Sequence, residues 1–317
     1  MQSVLFYRDY VGFSGGHLKV WDYFNHVRHS PRHKAEIFFS SRSVWDASNP
    51  WQGLKGGILG SWDAIRPDCL FLGGTDWLMV NPAERARHRV PVINLVQGVR
   101  HAVPGDARYP FLRHRAIRIC LADSVAQAIA GTGQVNGPII VIPNGFDKQD
   151  LPAPLPRSGK TTDLLISALK EPELGRQLQR RFAVAGRRVE LLEGRISRPD
   201  FLGALNRARV TLHLPTRIGG FCLPALEGMA LGTIVVCPDC VGNRSLCIPG
   251  LNCFLPEYDL ESIAGAAETA LRLDAAEAEQ LLSGALATVA RYGAEAERRA
   301  FLELLDRADE LWQSDAG

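Results

Sequence analysis

No apolar run in this sequence approaches the roughly 20 residues that a membrane-crossing helix needs. The opening, MQSVLFYRDY, lacks the basic start and long apolar core of a secretory signal and reads as a strand. There are seven cysteines, an odd number spread over 317 residues. That usage argues against a disulfide framework and fits a reducing cytosol. The G-x-G-x-x-G spacing of a dinucleotide fingerprint is missing, and so is an Asp-x-Asp metal-binding pair. Net charge is small: 36 Lys+Arg stand against 34 Asp+Glu, giving +2. No nucleic-acid motif accompanies that charge, which argues against a nucleic-acid partner.

The charge is uneven along the chain. Residues 1–150 hold 17 Lys+Arg against 12 Asp+Glu, and the remainder holds 19 against 22. The basic clusters are Arg28, Arg32 and Lys34; Arg85, Arg87 and Arg89; and Arg113, Arg115 and Arg118. They read as solvated helix faces, or as contacts to an anionic membrane surface or a phosphorylated acceptor. With 46% hydrophobic and 22% charged residues, the chain has a globular profile long enough for two domains of about 150 residues each.

Strand-like runs at 3–7, 36–40, 68–74, 90–96, 117–121 and 139–142 alternate with helical patterns, and the alternation resumes at 163–168, 188–192, 210–214 and 233–237. This is the pattern of an α/β chain with doubly wound parallel sheets. Residues 41–60 read as irregular loop. The proline-rich segment 151–159 reads as a linker between residues 1–150 and 160–290. Residues 291–317 read as a C-terminal helix that can return to the first domain. Asp123 or Ser124 is placed to cap the helix over 125–130.

The most informative stretch is PTRIGGFCLPALEGMALGTIVVCPD, from Pro215 to Asp239. A strand stops at Pro215, and a flexible loop follows with Gly219 and Gly220. Pro224 suits the first turn of a helix, where its missing N–H is not needed. Leu226, Met229 and Ala230 recur at helical spacing, Gly232 supplies the stop, and 233–237 is a short buried strand. The helix N-terminus that this creates is a ready anion site.

The stretch resembles the signature of GT-B glycosyltransferases, specifically the large retaining family four. Gly220, Phe221, Leu223, Pro224, Leu226, Glu227, Met229, Ala230 and Gly232 match that signature. The family's first glutamate is replaced by Gly219, and Cys222 and Gly228 replace common small residues. Ser14-Gly15-Gly16-His17 and Pro143-Asn144-Gly145-Phe146-Asp147 resemble two further family segments. The resemblance implies two Rossmann-like domains facing each other across a cleft. It also implies transfer of a sugar from a nucleotide diphosphate sugar to a hydroxyl, with retention, in bacterial surface glycan synthesis. The acceptor is a glycan or a lipid-linked precursor. A non-catalytic nucleotide-sugar-binding subunit and a GT-B sugar-nucleotide epimerase are the alternatives.

By that resemblance Glu227 binds the donor ribose, and Gly219, Gly220, Phe221, Cys222 and Leu223 form the loop over sugar and phosphates, with Arg244 nearby. Lys170 stands in for a family cation at the diphosphate, with Arg176, Arg217 or Arg244 as substitutes. His101 is the candidate catalytic histidine. Gly15, Gly16, His17, Gln97, Arg100 and Asn144 line the facing loops. No metal or other cofactor is expected, and the location is cytoplasmic or peripheral at the inner membrane face. Cys237, Cys240, Cys247 and Cys253 approach zinc-ligand spacing, but the strand reading of 233–237 makes them buried thiols.

Overall fold

A computed structural model describes residues 1–12, 14–80, 89–148 and 151–314. It divides into two compact units, Met1–Asn144 with Glu295–Gly317, and Gly145–Ala294. In the first unit the strands are β1 (Gln2–Arg8), β2 (His33–Phe39), β3 (Ile58–Leu59), β4 (Cys69–Gly73), β5 (Val92–Val96), β6 (Ile117–Cys120) and β7 (Ile139–Val141). They pair in parallel in the order β3-β2-β1-β4-β5-β6-β7. Every residue of β4, β5 and β6 is buried. Both faces of these strands are covered, which is why their sequences are apolar runs rather than alternations.

Helix α1 (Gly15–Arg28) starts earlier than the sequence suggests. Ser14 takes an extended backbone and its hydroxyl accepts the His17 N–H, so Gly15, Gly16 and His17 form the first turn rather than a preceding loop. Val20, Tyr23, Phe24 and Val27 then face the sheet, and Phe24 meets Phe6 edge-on at 5.3 Å. Helix α2 (Asp123–Ala130) is capped differently from expectation. Ala122 is the N-cap and makes no side-chain cap bond, while Asp123 lies in the first turn.

Two other readings are corrected here. The 41–60 loop is anchored, because Trp51 is fully buried among Tyr10, Trp21, Phe24 and Phe39. Arg118 is not part of a surface cluster; it is fully buried. Its guanidinium donates to Asn94 Oδ1 at 2.8 Å and to the carbonyls of Phe111, Leu112 and His114, clamping the turn below it. Arg32 and Lys34 are paired, with Asp306 and Glu36, and Arg85 and Arg87 lie outside the described residues.

The second unit holds β8 (Thr162–Ser167), α3 (Pro172–Val184), β9 (Val189–Leu192), α4 (Arg198–Arg207), β10 (Ala208–His213), α5 (Leu223–Ala230), β11 (Ile234–Val236), β12 (Cys253–Phe254), α6 (Leu260–Arg272) and α7 (Ala275–Arg291). Its strands are parallel in the order β12-β11-β10-β8-β9. Lys160 fastens two helices at once, donating to Asn206 O at 2.9 Å and Leu231 O at 3.0 Å. These carbonyls end α4 and α5, where a cation is favoured. Residues 151–159 are not a free spacer. Asn206 accepts the Leu155 N–H at 2.9 Å and donates to Ala153 O at 2.8 Å, tying the segment to the second unit.

The last two helices, α8 (Ala294–Asp306) and α9 (Ala308–Ser314), group with the first unit from Glu295 onward. Phe301 enters the core and meets Tyr23 edge-on at 4.6 Å. Glu297, 2% exposed, accepts from Lys19 Nζ at 3.0 Å and His26 Nε2 at 2.8 Å. Removing one member of a buried ion cluster leaves the others desolvated and uncompensated. We therefore expect Glu297→Ala to lower stability by roughly 3 kcal/mol, somewhat softened by the second Lys19 partner, Asp22. Urea unfolding of the variant checks this, and a loss below about 1 kcal/mol would count against the cluster as the anchor of α8.

Candidate functional site

In an open parallel sheet, ligands bind beyond the strand C-termini at the point where the strand order reverses. In the second unit that point lies between β8 and β10. Past β8 comes the turn with Lys170. Past β10 comes Leu214-Pro215-Thr216-Arg217-Ile218-Gly219-Gly220, which leads into α5. Beyond β11 lies the loop from Cys237 to Gly242.

The two loops are locked backbone to backbone. Gly219 donates its N–H to Cys240 O at 3.2 Å and bridges to Val241. Val241 holds φ of 66°, a strained choice for a β-branched residue. A Cβ on Gly242 would fall 2.5 Å from Gly219 O, and one on Gly219 would fall 3.0 Å from Cys240 Sγ. Position 219, where the signature has a glutamate, is therefore tightly packed: a side chain there would press on Cys240 Sγ and on Thr216 O, at 3.1 Å. Gly228 is packed in a similar way. A Cβ there would fall 2.9 Å from Thr233 Oγ1 and 3.0 Å from Thr211 Oγ1, and those hydroxyls are bonded to each other at 2.8 Å.

Glu227 lies in the middle of α5 and is 1% exposed. Arg198, in the first turn of α4, donates to its Oε1 at 2.7 Å. Burial raises the Glu227 carboxyl above its ordinary value, and the Arg198 guanidinium works against that shift. Arg198 was not legible in the sequence, since only the fold brings it to Glu227. Lys170 is exposed, and acts electrostatically on the Cys240 thiol, which burial pushes up to about 12. The structure thus brings Lys170, Gly219 and Gly220 to one sheet edge.

Other candidates are placed differently. Cys222 turns its side chain into the core, 7% exposed, with Sγ 3.8 Å from Cys237 Sγ, so only its backbone is available to a ligand. Phe221 packs on Tyr292 at 5.2 Å, and Leu223 is half-buried beside it. Arg244 is engaged by Asp239, with bonds of 2.6 and 2.9 Å. Arg176 pairs with Glu173 and Glu193. Arg217 sits 4.7 Å over the Tyr258 ring, and the Tyr258 hydroxyl donates to Pro215 O. The thiols Cys237, Cys240, Cys247 and Cys253 are buried and free. Among the described residues no His, Cys, Asp or Glu group is arranged to hold a metal ion.

The first unit has its own reversal point, between β1 and β4. Arg8 ends β1, donates through Nη1 to Asp76 Oδ2 at 2.5 Å, and places Nη2 2.6 Å from His17 Nδ1. Gln97 donates to Gly16 O at 3.1 Å. Gly15, Gly16, His17 and Gln97 are thus gathered at the N-terminus of α1, together with Arg8 and Asp76, which sequence reasoning missed. Arg100 is exposed, whereas His101 and Asn144 are buried. Burial, aided by Arg108, lowers His101 to about 3, so it stays neutral across the working range.

The comparisons with known proteins fit this geometry. Residues 155–272 match the family described as Glycosyl transferases group 1. That match lies within the second unit. Sequence comparison with curated proteins finds no match. Among solved structures the chain is similar to HepE from Anabaena, in complex with UDP and glucose. The TM-score is 0.74 at 14% identity, over 96% of this chain and 100% of that one. It is similar to sucrose-phosphate synthase from Thermosynechococcus elongatus, with TM-score 0.71 at 14% identity over 97% and 99%. It is also similar to the lipopolysaccharide outer core galactosyltransferase WaaB, with TM-score 0.69 at 13% identity over 97% and 99%. At these identities the likeness is one of fold, and that fold is GT-B. No described helix of the chain is long and apolar enough to cross a membrane.

Two buried histidines set an acid limit on the fold. His213 in the second unit is lowered to about 4 by burial, and His101 in the first unit to about 3. Unfolded, each takes up a proton near the ordinary 6.5. The unfolded chain therefore binds more protons below that value, so stability is full above about pH 6.5 and falls as pH drops towards 4. The slope is about 1.4 kcal/mol per pH unit for each histidine. His213→Gln should flatten the drop between pH 7 and 5, read by urea unfolding at both values. An unchanged drop would sink the assignment.

Proposed function

We propose that the chain transfers a sugar from a nucleoside diphosphate sugar to a hydroxyl acceptor. The observation that carries this is the glycine-rich turn into α5, at the strand reversal point, with Glu227 on that helix held by Arg198 of α4. Helix N-terminal N–H groups favour an anionic leaving group, and a carboxylate accepts hydroxyl hydrogens from a cis diol. The family match supports transferase chemistry, and HepE, in complex with UDP-glucose, supports a nucleotide sugar as donor.

In our reading the diphosphate lies over Gly219 and Gly220, Lys170 neutralises it, and Glu227 receives the ribose. The bond from the anomeric carbon to phosphate oxygen breaks, and the acceptor oxygen bonds on the same face. The acceptor proton passes to the departing phosphate oxygen, so configuration is retained without a side-chain nucleophile. The domain supplies positioning and charge stabilisation. We place the acceptor among glycans or lipid-linked precursors of surface polysaccharide. A binding subunit without transfer is the second reading, favoured by Gly219 standing where the signature has a glutamate.

Glu227→Gln keeps the side-chain volume and removes the charge. Losing a charged hydrogen bond should weaken UDP binding by about tenfold or more, measured by calorimetry, with little change in far-UV circular dichroism. Affinity equal to the parent would remove Glu227 from the site. Transfer assayed with a panel of nucleotide sugars and glycan acceptors separates the two readings, since a binding subunit gives slow donor hydrolysis alone.

We also propose that transfer needs no added metal ion, on the ground that the sequence carries no Asp-x-Asp pair. A chelator should leave the rate unchanged. Activity lost to the chelator and restored by manganese or magnesium would refute the proposal.

A further inference from the structure

Arg198 occupies an odd position for its own helix. It lies in the first turn of α4, behind the Ser197 cap that accepts the Asp200 N–H. A cation at a helix N-terminus faces the positive end of the dipole, so the local structure gains nothing from it. Its one bond among the described residues is to Glu227 Oε1, made through Nη1 alone. The contact is single, although an arginine and a carboxylate can pair by two parallel bonds. Glu227 Oε2 and the remaining guanidinium N–H groups are not used in the pair. The Arg198 side chain keeps 23% of its exposure while that of Glu227 keeps 2%.

We propose that Arg198 is a positioning residue for the nucleotide ribose. It holds the Glu227 carboxylate by Oε1 and turns Oε2 towards the cis diol, with its own free N–H groups beside it. One diol hydroxyl then donates to Oε2 while its neighbour accepts from the guanidinium. This rests on the reading of Glu227 as the ribose ligand. It goes further in making ribose recognition a two-residue property, with an acceptor and a donor set side by side, so that a 2′-deoxynucleotide loses one of the two bonds.

The surroundings make Glu227 depend on this partner. The other buried residues of α5 are Ala225, Leu226, Gly228, Met229 and Ala230, none of them charged. Of the elements packed on α5, namely α4, α7, β10 and β11, only α4 brings a charge to Glu227, and that charge is Arg198. His213 on β10 acts on Cys237 instead. A carboxyl left alone in such surroundings takes up a proton rather than stay charged.

The test is UDP and 2′-deoxy-UDP binding by calorimetry from pH 5 to 8, on the parent, Arg198→Gln, Arg198→Lys and Glu227→Gln. The parent should bind UDP with a flat pH profile and favour it over the deoxy form by about tenfold. Arg198→Gln should weaken UDP by about tenfold at pH 8 and by more as pH falls towards 5, as Glu227 protonates. It should also lose the preference for ribose. Arg198→Lys should restore the flat profile without the full affinity. If Arg198→Gln does not fold, Arg198→Lys against the parent still reads the ribose preference. A parent and a Glu227→Gln variant that bind UDP equally would overturn the role of Glu227, and this inference with it. A parent that binds, a Glu227→Gln that does not, and an Arg198→Gln with a flat profile would overturn the Arg198 role alone. A purely structural clamp would lower the melting temperature and leave both the pH profile and the ribose preference unmoved.

Discussion

Both units depend on how charge is answered once it leaves water. An ionised carboxylate in an apolar interior either finds a partner or neutralises. Three buried carboxylates among the described residues illustrate it, each with a different partner. Glu297 is met by Lys19 and His26, which fixes the last helices onto the first unit. Asp76 is met by Arg8 at the end of β1. Glu227 is met by Arg198 through one bond only. The first cluster lies in a core and is heavily bonded, as an anchor should be. Asp76 lies at a strand reversal point, by the end of β1, and Glu227 lies in the middle of α5.

That placement follows from the sheets. Strands β4, β5 and β6 are buried throughout, so they have no polar face to offer. Chemistry is displaced to the strand C-termini, where chain direction reverses and helix N-termini begin. Arg8, His17 and Asp76 gather at one such edge, and Lys170, Gly219 and Gly220 at the other. The same layout explains why helix starts carry so much of the site: Ser14 caps α1, and Ser197 caps α4 just before Arg198.

How much of this was legible in the sequence depends on range. The alternation of strands and helices and the turn into α5 are local patterns, and the α/β reading of the chain rests on them. What was not legible is long-range. Nothing near Arg198 marks it as the partner of a residue 29 positions away. Arg118 resembles its exposed neighbours in sequence, yet three carbonyls and Asn94 hold it inside. The 151–159 segment has a linker's composition, but Asn206 holds it against the second unit. In each case a single polar side chain, reaching across tens of residues, overrides the local signal.

The glycine at position 219 ties these strands of argument together. Read in sequence it is a missing carboxylate. Read in space it is a close contact, because a Cβ there would lie 3.0 Å from Cys240 Sγ and 3.1 Å from Thr216 O. A loop held backbone to backbone offers its N–H and C=O groups in fixed directions and spends little entropy on ligand binding. A side chain there would need Cys240 or the Thr216 carbonyl to give by a few tenths of an ångström. Recognition at this turn then falls to backbone groups, and in our proposal the side-chain part falls to Glu227 as Arg198 holds it.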